Sequence, residues 1–201
     1  MSSGSRDVHL TEDPAADALL GSNANALLIG MVLDQQVPLE KAFSGPAVIA
    51  ARMGGTFDVA AIAQTSEDDF VALCSERPAI HRFPGSMAKR VRNTCIRLVE
   101  DYDGDVERLY ASAGTGAELK KALAKLPGFG AQKAAIFTAL LGKQRGVTPD
   151  GWREASSPYG DEGTYISVAD IMDHESLLKV RDSKKAAKAA AKADQAAAAS
   201  E

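Results

Sequence analysis

The fold is decided by residues 126 to 142, which read Leu-Pro-Gly-Phe-Gly-Ala-Gln-Lys-Ala-Ala-Ile-Phe-Thr-Ala-Leu-Leu-Gly. Gly128 and Gly130 permit backbone conformations with positive φ, and Pro127 fixes the start of a tight turn. From Ala131 onward the apolar residues have the spacing of a largely buried helix. The turn therefore presents free backbone N–H groups beside the positive end of a helix. This arrangement binds anions, most commonly phosphate.

The residues before the turn predict another helix. Thr115 and Glu118 form a capping-box pattern that opens a helix from Glu118 to Lys125. The whole unit is then helix, glycine hairpin, helix. Nothing in the sequence alternates with period two for long enough to be a sheet, so the fold is predicted to be all-α.

The hairpin resembles that of a known family. Leu126, Pro127, Gly128, Phe129 and Gly130 look like the hairpin of the helix-hairpin-helix DNA glycosylases, the superfamily of endonuclease III and adenine mismatch glycosylase. The resemblance implies two helical lobes around a cleft, and backbone contacts from these five residues to DNA phosphates.

The family also has a catalytic aspartate downstream of the hairpin. Asp150 follows position 132 by 18 residues, the spacing that the resemblance implies for this aspartate. A carboxylate there would stabilise an oxocarbenium-like sugar and orient the attacking water. The alternative is that Asp150, between Pro149 and Gly151, belongs to an ordinary turn or caps a short helix. The family usually has a hydroxyl residue and then histidine after this aspartate, whereas Gly151 and Trp152 follow here.

Position 132 decides the predicted reaction subtype. Bifunctional relatives have lysine there, which forms a Schiff base with the sugar, and Gln132 has no amine to do so. Lys133 is adjacent but turned by about 100° around the helix, so we interpret it as a phosphate contact or a solvated residue, with Gln132 also near DNA. The prediction is a monofunctional glycosylase that hydrolyses the N-glycosidic bond of a damaged or mismatched base. The alternatives are a noncatalytic DNA-binding protein and a glycosylase with lyase activity through Lys133.

An early apolar helix ends in polar residues at Asp34, Gln35 and Gln36. By resemblance, Gln35 and Gln36 border the base-binding gap. The alternative is a helix end whose glutamines bond to nearby backbone. Adenine glycosylases carry a catalytic glutamate on this helix where Met31 stands here, so adenine is not the expected substrate.

Charge is unevenly distributed in a chain with a formal net charge of −4. The segment from Pro78 to Leu98 contains no acid, four arginines and one lysine, and it is a candidate phosphate-facing surface that includes Arg82 and Lys89. The alternative is an ordinary solvated helix face.

Cysteine content bears on cofactors. Relatives of endonuclease III often hold an iron–sulfur cluster on four cysteines, whereas this sequence has only Cys74 and Cys95, both in apolar helical patterns. No such cluster is therefore expected. The resemblance also implies a monovalent cation on the hairpin carbonyls of Ala124, Leu126 and Phe129.

Three segments are predicted along the chain: a flexible leader over 1–12, the glycosylase-like domain over 13–180, and a lysine- and alanine-rich low-complexity tail over 181–201. No apolar run reaches the length of a membrane span. The expected protein is cytoplasmic and monomeric, and it acts on double-stranded DNA that carries a lesion or mismatch.

Overall fold

The computed structural model describes residues 8–198, and this part of the chain is all-α, as predicted. Its helices are α1 (Pro14–Ser22), α2 (Ala24–Leu33), α3 (Leu39–Arg52), α4 (Val59–Gln64), α5 (Glu67–Ser75), α6 (Pro84–Tyr102), α7 (Val106–Ser112), α8 (Gly116–Ala124), α9 (Ala131–Leu140), α10 (Trp152–Ser156) and α11 (His174–Ala198). A π-helical turn, Leu141–Arg145, extends α9, and a 3-10 turn, Val168–Asp170, precedes α11. No β-strand occurs between residues 8 and 198, where the only pairing is an isolated bridge between Thr115 and Asp150.

Short polar side chains begin most of these helices. Each accepts a hydrogen bond from a backbone N–H of the first turn, which would otherwise have no partner. Thr115 and Glu118 form the reciprocal capping box that the sequence predicted for α8, and Ser167 and Asp170 form another at the 3-10 turn. The simple caps are Asp13, Asn23, Asp58, Ser66 and Asp105.

Helix α2 is the centre of the core. Every residue from Ala26 to Leu33 is buried, so the helix has apolar side chains on all sides rather than one apolar face. It packs against α1, α3, α6 and α7. A helix enclosed in this way holds the residues after its last turn in fixed positions, and those residues are Asp34 and Gln35.

The hairpin joins α8 to α9 and packs on the same core. Leu126 and Phe129 are buried, and the ring of Phe129 meets that of Phe137 edge to face with centroids 5.7 Å apart. Helix α10 packs on both α8 and α9. The helix-hairpin-helix unit is therefore a rigid part of the domain.

The N-terminal segment departs from its prediction. Val8 and Leu10 are buried, and Asp17 accepts hydrogen bonds from Leu10 N at 3.2 Å and Thr11 N at 2.9 Å. The prediction of a flexible leader over 1–12 is therefore corrected for residues 8–12, while residues 1–7 lie outside the described residues. The segment is mostly polar, which led to the prediction of a flexible leader, but its apolar residues Val8 and Leu10 reach the core.

The C-terminal helix crosses the expected boundary at residue 180 without a break. Leu177 and Val180 are buried, and Arg181 forms an ion pair with Glu40 on α3. These contacts attach the start of the lysine- and alanine-rich segment to the domain. Residues 199–201 of the predicted tail lie outside the described residues.

Between residues 8 and 198, no single helix is long and apolar enough to cross a membrane. Helices α1 and α2 pass that test only as a pair, and they are bent by 117° where they meet.

Candidate active site

The hairpin has the backbone geometry of an anion site. Gly128 adopts φ +86°, and Phe129 N donates to Leu126 O at 3.0 Å to close the turn. No side chain caps the start of α9, whose regular bonding begins with Ala134 N donating to Gly130 O at 2.9 Å. The first N–H groups of α9 are therefore without an intrahelical partner and can bind a phosphate.

Helix α6 holds the hairpin in position. Thr94 is fully buried, and its hydroxyl lies 3.0 Å from Pro127 O and 2.9 Å from Arg90 O of its own helix. Its bond to Pro127 ties the hairpin backbone to the core.

We expect Thr94→Val to destabilise the protein by about 1 kcal/mol and to weaken DNA binding severalfold, because the hairpin loses this bond. Thr138→Val is the matched control, since the equally buried Thr138 hydroxyl donates only to Ala134 O of its own helix at 2.8 Å. Urea unfolding and fluorescence anisotropy with duplex DNA measure the two effects. Equal losses of DNA affinity in both variants would refute the role given to Thr94.

The cation beside the hairpin is Arg90, which the sequence did not single out. Its Nη1 donates to Gln35 Oε1 at 2.9 Å, and both residues line a shallow pocket of about 420 Å³ with Gly128, Gly130 and Lys133. Arg90 thus connects the end of α2 to the hairpin.

Two of the basic residues predicted to contact DNA, Lys89 and Arg82, do not line the hairpin groove. Lys89 forms an ion pair with Glu67 on α5 at 2.7 Å, and both side chains are exposed. One residue along α6 turns the Lys89 side chain away from the hairpin that Arg90 reaches, and its contact with DNA stays a prediction. Arg82 is exposed and lies over the ring of Phe83 at 5.3 Å, and its contact with DNA stays a prediction.

A larger pocket of about 470 Å³ lies between the end of α2 and the start of α9, within the size range of small-ligand sites. It is lined by Met31, Asp34 and Gln35 from α2 and its C-cap, by Gln132, Lys133 and Ile136 from α9, by Tyr159, Ile166, Ser167 and Val168 from the segment after α10, and by Lys184 from α11. The pocket therefore shares Gln35, Gln132 and Lys133 with the hairpin groove.

The amine of Lys133 is half-buried in this pocket. Its Nζ donates to Val32 O at 3.1 Å, one of the carbonyls in the last turn of α2. Burial lowers the pKa of Lys133 to about 8, with Arg90 acting in the same direction and Asp34 opposing it. An ammonium with such a pKa is partly neutral near physiological pH.

Asp34 places a half-buried carboxyl group in the same pocket. Burial raises the pKa of Asp34 above its usual value, and the positive charges of Lys184 and Lys133 oppose that rise. A carboxyl group and an amine that both have shifted pKa values and line the same pocket are typical of a functional site. The sequence had drawn attention to this helix end for its glutamines and not for Asp34.

The two glutamines predicted at the base pocket separate. Gln35 lies in the pocket wall, and its backbone carbonyl accepts from Nε2 of the buried His81 at 2.8 Å, while Nδ1 of that ring accepts from Phe83 N at 3.0 Å. Gln36 is exposed, has φ +54° and does not line this pocket. The chain turns outward after Gln35, and the position of Gln36 at the base-binding gap stays a prediction.

Gln132 and Lys133 point in different directions, as their helical offset requires. Gln132 Nε2 donates to the hydroxyl of Tyr159 at 2.9 Å, which connects the start of α9 to the segment after α10. Both side chains nevertheless reach the pocket.

Asp150 lies beside the start of α8, at the opposite end of that helix from the hairpin. Its side chain is exposed, and its backbone carbonyl accepts from Gly116 N, the first residue of α8, at 2.8 Å. Helix α8 has nine residues, so Asp150 lies roughly 13 Å along that helix from the hairpin at the other end. Asp150 is not in the wall of the Asp34 pocket, and its role as the catalytic carboxylate stays a prediction.

The neighbours of Asp150 explain its position. Gly151 and Trp152 cover the open end of the helix pair, where a Cβ on Gly116 would lie 2.3 Å from Trp152 Cα and one on Gly142 would lie 2.3 Å from the indole ring. Trp152 is therefore a packing residue. The alternative interpretation, a turn that leads into a short helix, is the one observed.

The predicted cation site stays a prediction. The carbonyl of Leu126 already accepts from Phe129 N, and no cluster of three or more His, Cys, Asp or Glu side chains suited to a metal exists among residues 8–198. Cys74 and Cys95 are free and buried, and burial raises the pKa of the Cys74 thiol to about 12.

Fold and site together define an all-α protein with a helix-hairpin-helix unit beside a polar pocket. The sequence matches the HhH-GPD superfamily of base excision DNA repair proteins over residues 29–198, and the chain belongs to that superfamily. It is accordingly a DNA-binding protein of base excision repair. Comparisons with curated proteins and with solved structures gave no match.

Proposed function

We propose that the protein is a DNA glycosylase that hydrolyses the N-glycosidic bond of a damaged or mismatched base in the pocket of Asp34 and Lys133. The observation that carries the proposal is the meeting of a carboxyl group and an amine, both with perturbed pKa values, in a pocket that continues into the hairpin groove. We also propose that it acts as a cytoplasmic monomer on double-stranded DNA.

The hairpin would hold the DNA strand. Backbone N–H groups at the start of α9 bind a phosphate without reading sequence, and Arg90 adds a positive charge at the same groove. A base in a duplex cannot reach a recessed pocket, so the nucleotide must be rotated out of the stack. The groove and the pocket share residues, which supports a position of the sugar of that nucleotide between them.

Asp34 would supply the chemistry of base release. As the base leaves, positive charge develops on the sugar, and an ionised carboxylate stabilises that charge strongly in a partly desolvated pocket. The same carboxylate can orient and deprotonate a water molecule that attacks C1′. The nearby positive charges of Lys133 and Lys184 favour the ionised form that both roles need.

A panel of duplexes, each with one damaged or mismatched base, tests the proposal. We expect the wild-type protein to release the base from at least one of them, as detected by chromatography of the free base. Failure to release any base, with DNA binding intact, would support the alternative of a noncatalytic protein that recognises DNA structure.

A further inference from the structure

Helix α11 forms part of the wall of the Asp34 pocket and then continues beyond it. Lys184 is the α11 residue in that wall, and it also lines an adjoining cleft of about 340 Å³ between α11 and the start of α3. Gln132 and Lys133 line the part of the pocket that is shared with the hairpin groove, and neither lines the cleft. The pocket therefore has the hairpin groove on one side and α11 on another.

Lys184 has a charge that no partner neutralises. Its side chain is exposed, and its ammonium has neither an ion pair nor a hydrogen bond within the part of the chain that the structure describes. Two cations earlier on α11 are paired, Lys179 with Glu175 at 2.7 Å and Arg181 with Glu40. The second of these pairs attaches the helix to the domain one turn before Lys184.

The ammonium of Lys184 lies near the carboxyl group of Asp34. Burial raises the pKa of Asp34, and the charge of Lys184 opposes that rise more strongly than the charge of Lys133 does. An ammonium has three donors and no acceptor, so it seeks anions. Lys184 thus lies where the pocket meets solvent, and a phosphate beside a nucleotide bound in the pocket would be a suitable partner for it.

Beyond Lys184 the sequence of α11 repeats lysine at a fixed interval. Lysines follow at positions 188 and 192, and the helix extends to Ala198. Positions four residues apart lie on nearly the same side of a helix, so 184, 188 and 192 form one row about 12 Å long, which we call the lysine row. Most residues between these lysines are alanine. A linear array of positive charge without an apolar face matches the charge of a DNA backbone.

We propose that the lysine row binds the backbone of the DNA strand on the side of the extruded nucleotide away from the hairpin, with Lys184 on the phosphate nearest the pocket. The inference rests on the proposed function, because it takes the DNA strand across the pocket. A strand held at the start of α9 and led over the pocket reaches α11 on the other side. The row then positions the strand through phosphates alone, without reading sequence.

The salt dependence of DNA binding counts the phosphates that the row contacts. Fluorescence anisotropy with a labelled duplex gives the dissociation constant between about 50 and 200 mM salt. Each lysine that leaves a phosphate should lower the slope of log Kd against log salt concentration by about 0.9. We therefore expect the triple variant Lys184→Gln, Lys188→Gln and Lys192→Gln to lose about 2.7 from this slope and to bind at least about tenfold more weakly at low salt.

The matched control keeps the charge of α11 and changes only its position. Lys188→Ala with Ala186→Lys, combined with Lys192→Ala and Ala190→Lys, moves two lysines by about 200° around the helix at constant composition and net charge. This variant should lose about 1.8 from the slope. Thermal melts followed by circular dichroism show whether both variants stay folded. A relocated variant that binds as the wild-type protein does, or a folded triple variant with the wild-type slope, overturns the inference.

A neutral methylphosphonate, placed at one phosphate at a time around an abasic-site analogue, locates the contact of Lys184. At one position on the flank away from the hairpin, the wild-type protein should lose affinity and Lys184→Gln should lose no more, because the interaction is already absent. Additive losses at every position would overturn the role of Lys184. A reduced slope in the triple variant together with no base release from the lesion panel would reject the glycosylase proposal and keep the lysine row. Base release with an unchanged slope would do the reverse.

Discussion

Asp34→Asn is expected to lower the single-turnover rate of base release by about 10² to 10³-fold, which corresponds to roughly 3 to 4 kcal/mol of transition-state stabilisation. The amide keeps the size of the side chain but cannot carry the negative charge that a developing sugar cation requires. Quench experiments on a lesion duplex with enzyme in excess measure this rate.

The same substitution should not destabilise the fold. Burial raises the pKa of Asp34, so the folded state disfavours its ionised form. The free energy of unfolding therefore falls as the pH rises from the ordinary pKa of an aspartate through the raised pKa of Asp34. At neutral pH the neutral amide therefore removes an unfavourable charge, and the melting temperature should stay the same or rise. If the rate of base release and the melting temperature both fell, the lower rate would be due to unfolding and not to the lost negative charge.

Asp150→Asn is the matched control for this variant. Asp150 is exposed and lies at the far end of α8 from the hairpin, so we expect its rate of base release to stay within twofold of the wild-type rate, roughly 0.4 kcal/mol. If Asp150→Asn lost activity and Asp34→Asn did not, the assignment of the carboxylate would be wrong.

Gly128→Ala is expected to weaken DNA binding by at least about tenfold and to destabilise the protein by about 1 to 3 kcal/mol. At φ +86° an L side chain is strained, and an added Cβ would lie 2.6 Å from Arg90 Cδ and 3.3 Å from Val32 Cγ1. Arg90 would have to move, which would break its bond to Gln35 and disturb both the hairpin and the pocket wall.

Gly130→Ala provides the comparison within the same turn. Gly130 has φ −101°, and an added Cβ would meet nothing within 4 Å. We therefore expect little change in stability and less than a threefold change in the dissociation constant, below roughly 0.7 kcal/mol. Anisotropy with a fluorescent duplex separates the two variants, and equal losses from both would contradict the account of the turn.

The sequence predicted the parts of the fold that depend on neighbouring residues. The hairpin of Gly128 and Gly130, the capping box at Thr115, and the all-α class follow from local backbone preferences. Such preferences act over a few residues, so they survive in the tertiary structure.

The prediction for Asp150 rests on a count of residues along the chain, which does not show the path that the chain takes in space. After α9 the backbone continues into the π-helical turn Leu141–Arg145 and then covers the far end of the helix pair with Trp152. The chain returns to the hairpin only at Tyr159 and Ser167. A fixed spacing cannot predict a site when the connecting segment takes a different path.

The sequence contained more of the information needed to select Asp34 as a site residue. A buried apolar helix that ends in an acid requires an explanation, and the sequence showed that ending. What it could not show was Lys133, more than ninety residues away along the chain, in the same pocket. Arg90 was missed for a similar reason, since only the packing of α6 decides which of several basic residues meets the hairpin.

The most direct test of the central claim is a crystal structure of the protein bound to a duplex that carries a pyrrolidine abasic-site analogue, whose ring nitrogen imitates the cationic sugar. We predict that the analogue lies in the pocket between α2 and α9 with its nitrogen beside the Asp34 carboxylate and the flanking phosphate on the hairpin. An analogue bound beside Asp150, or left in the duplex with this pocket empty, would contradict the account.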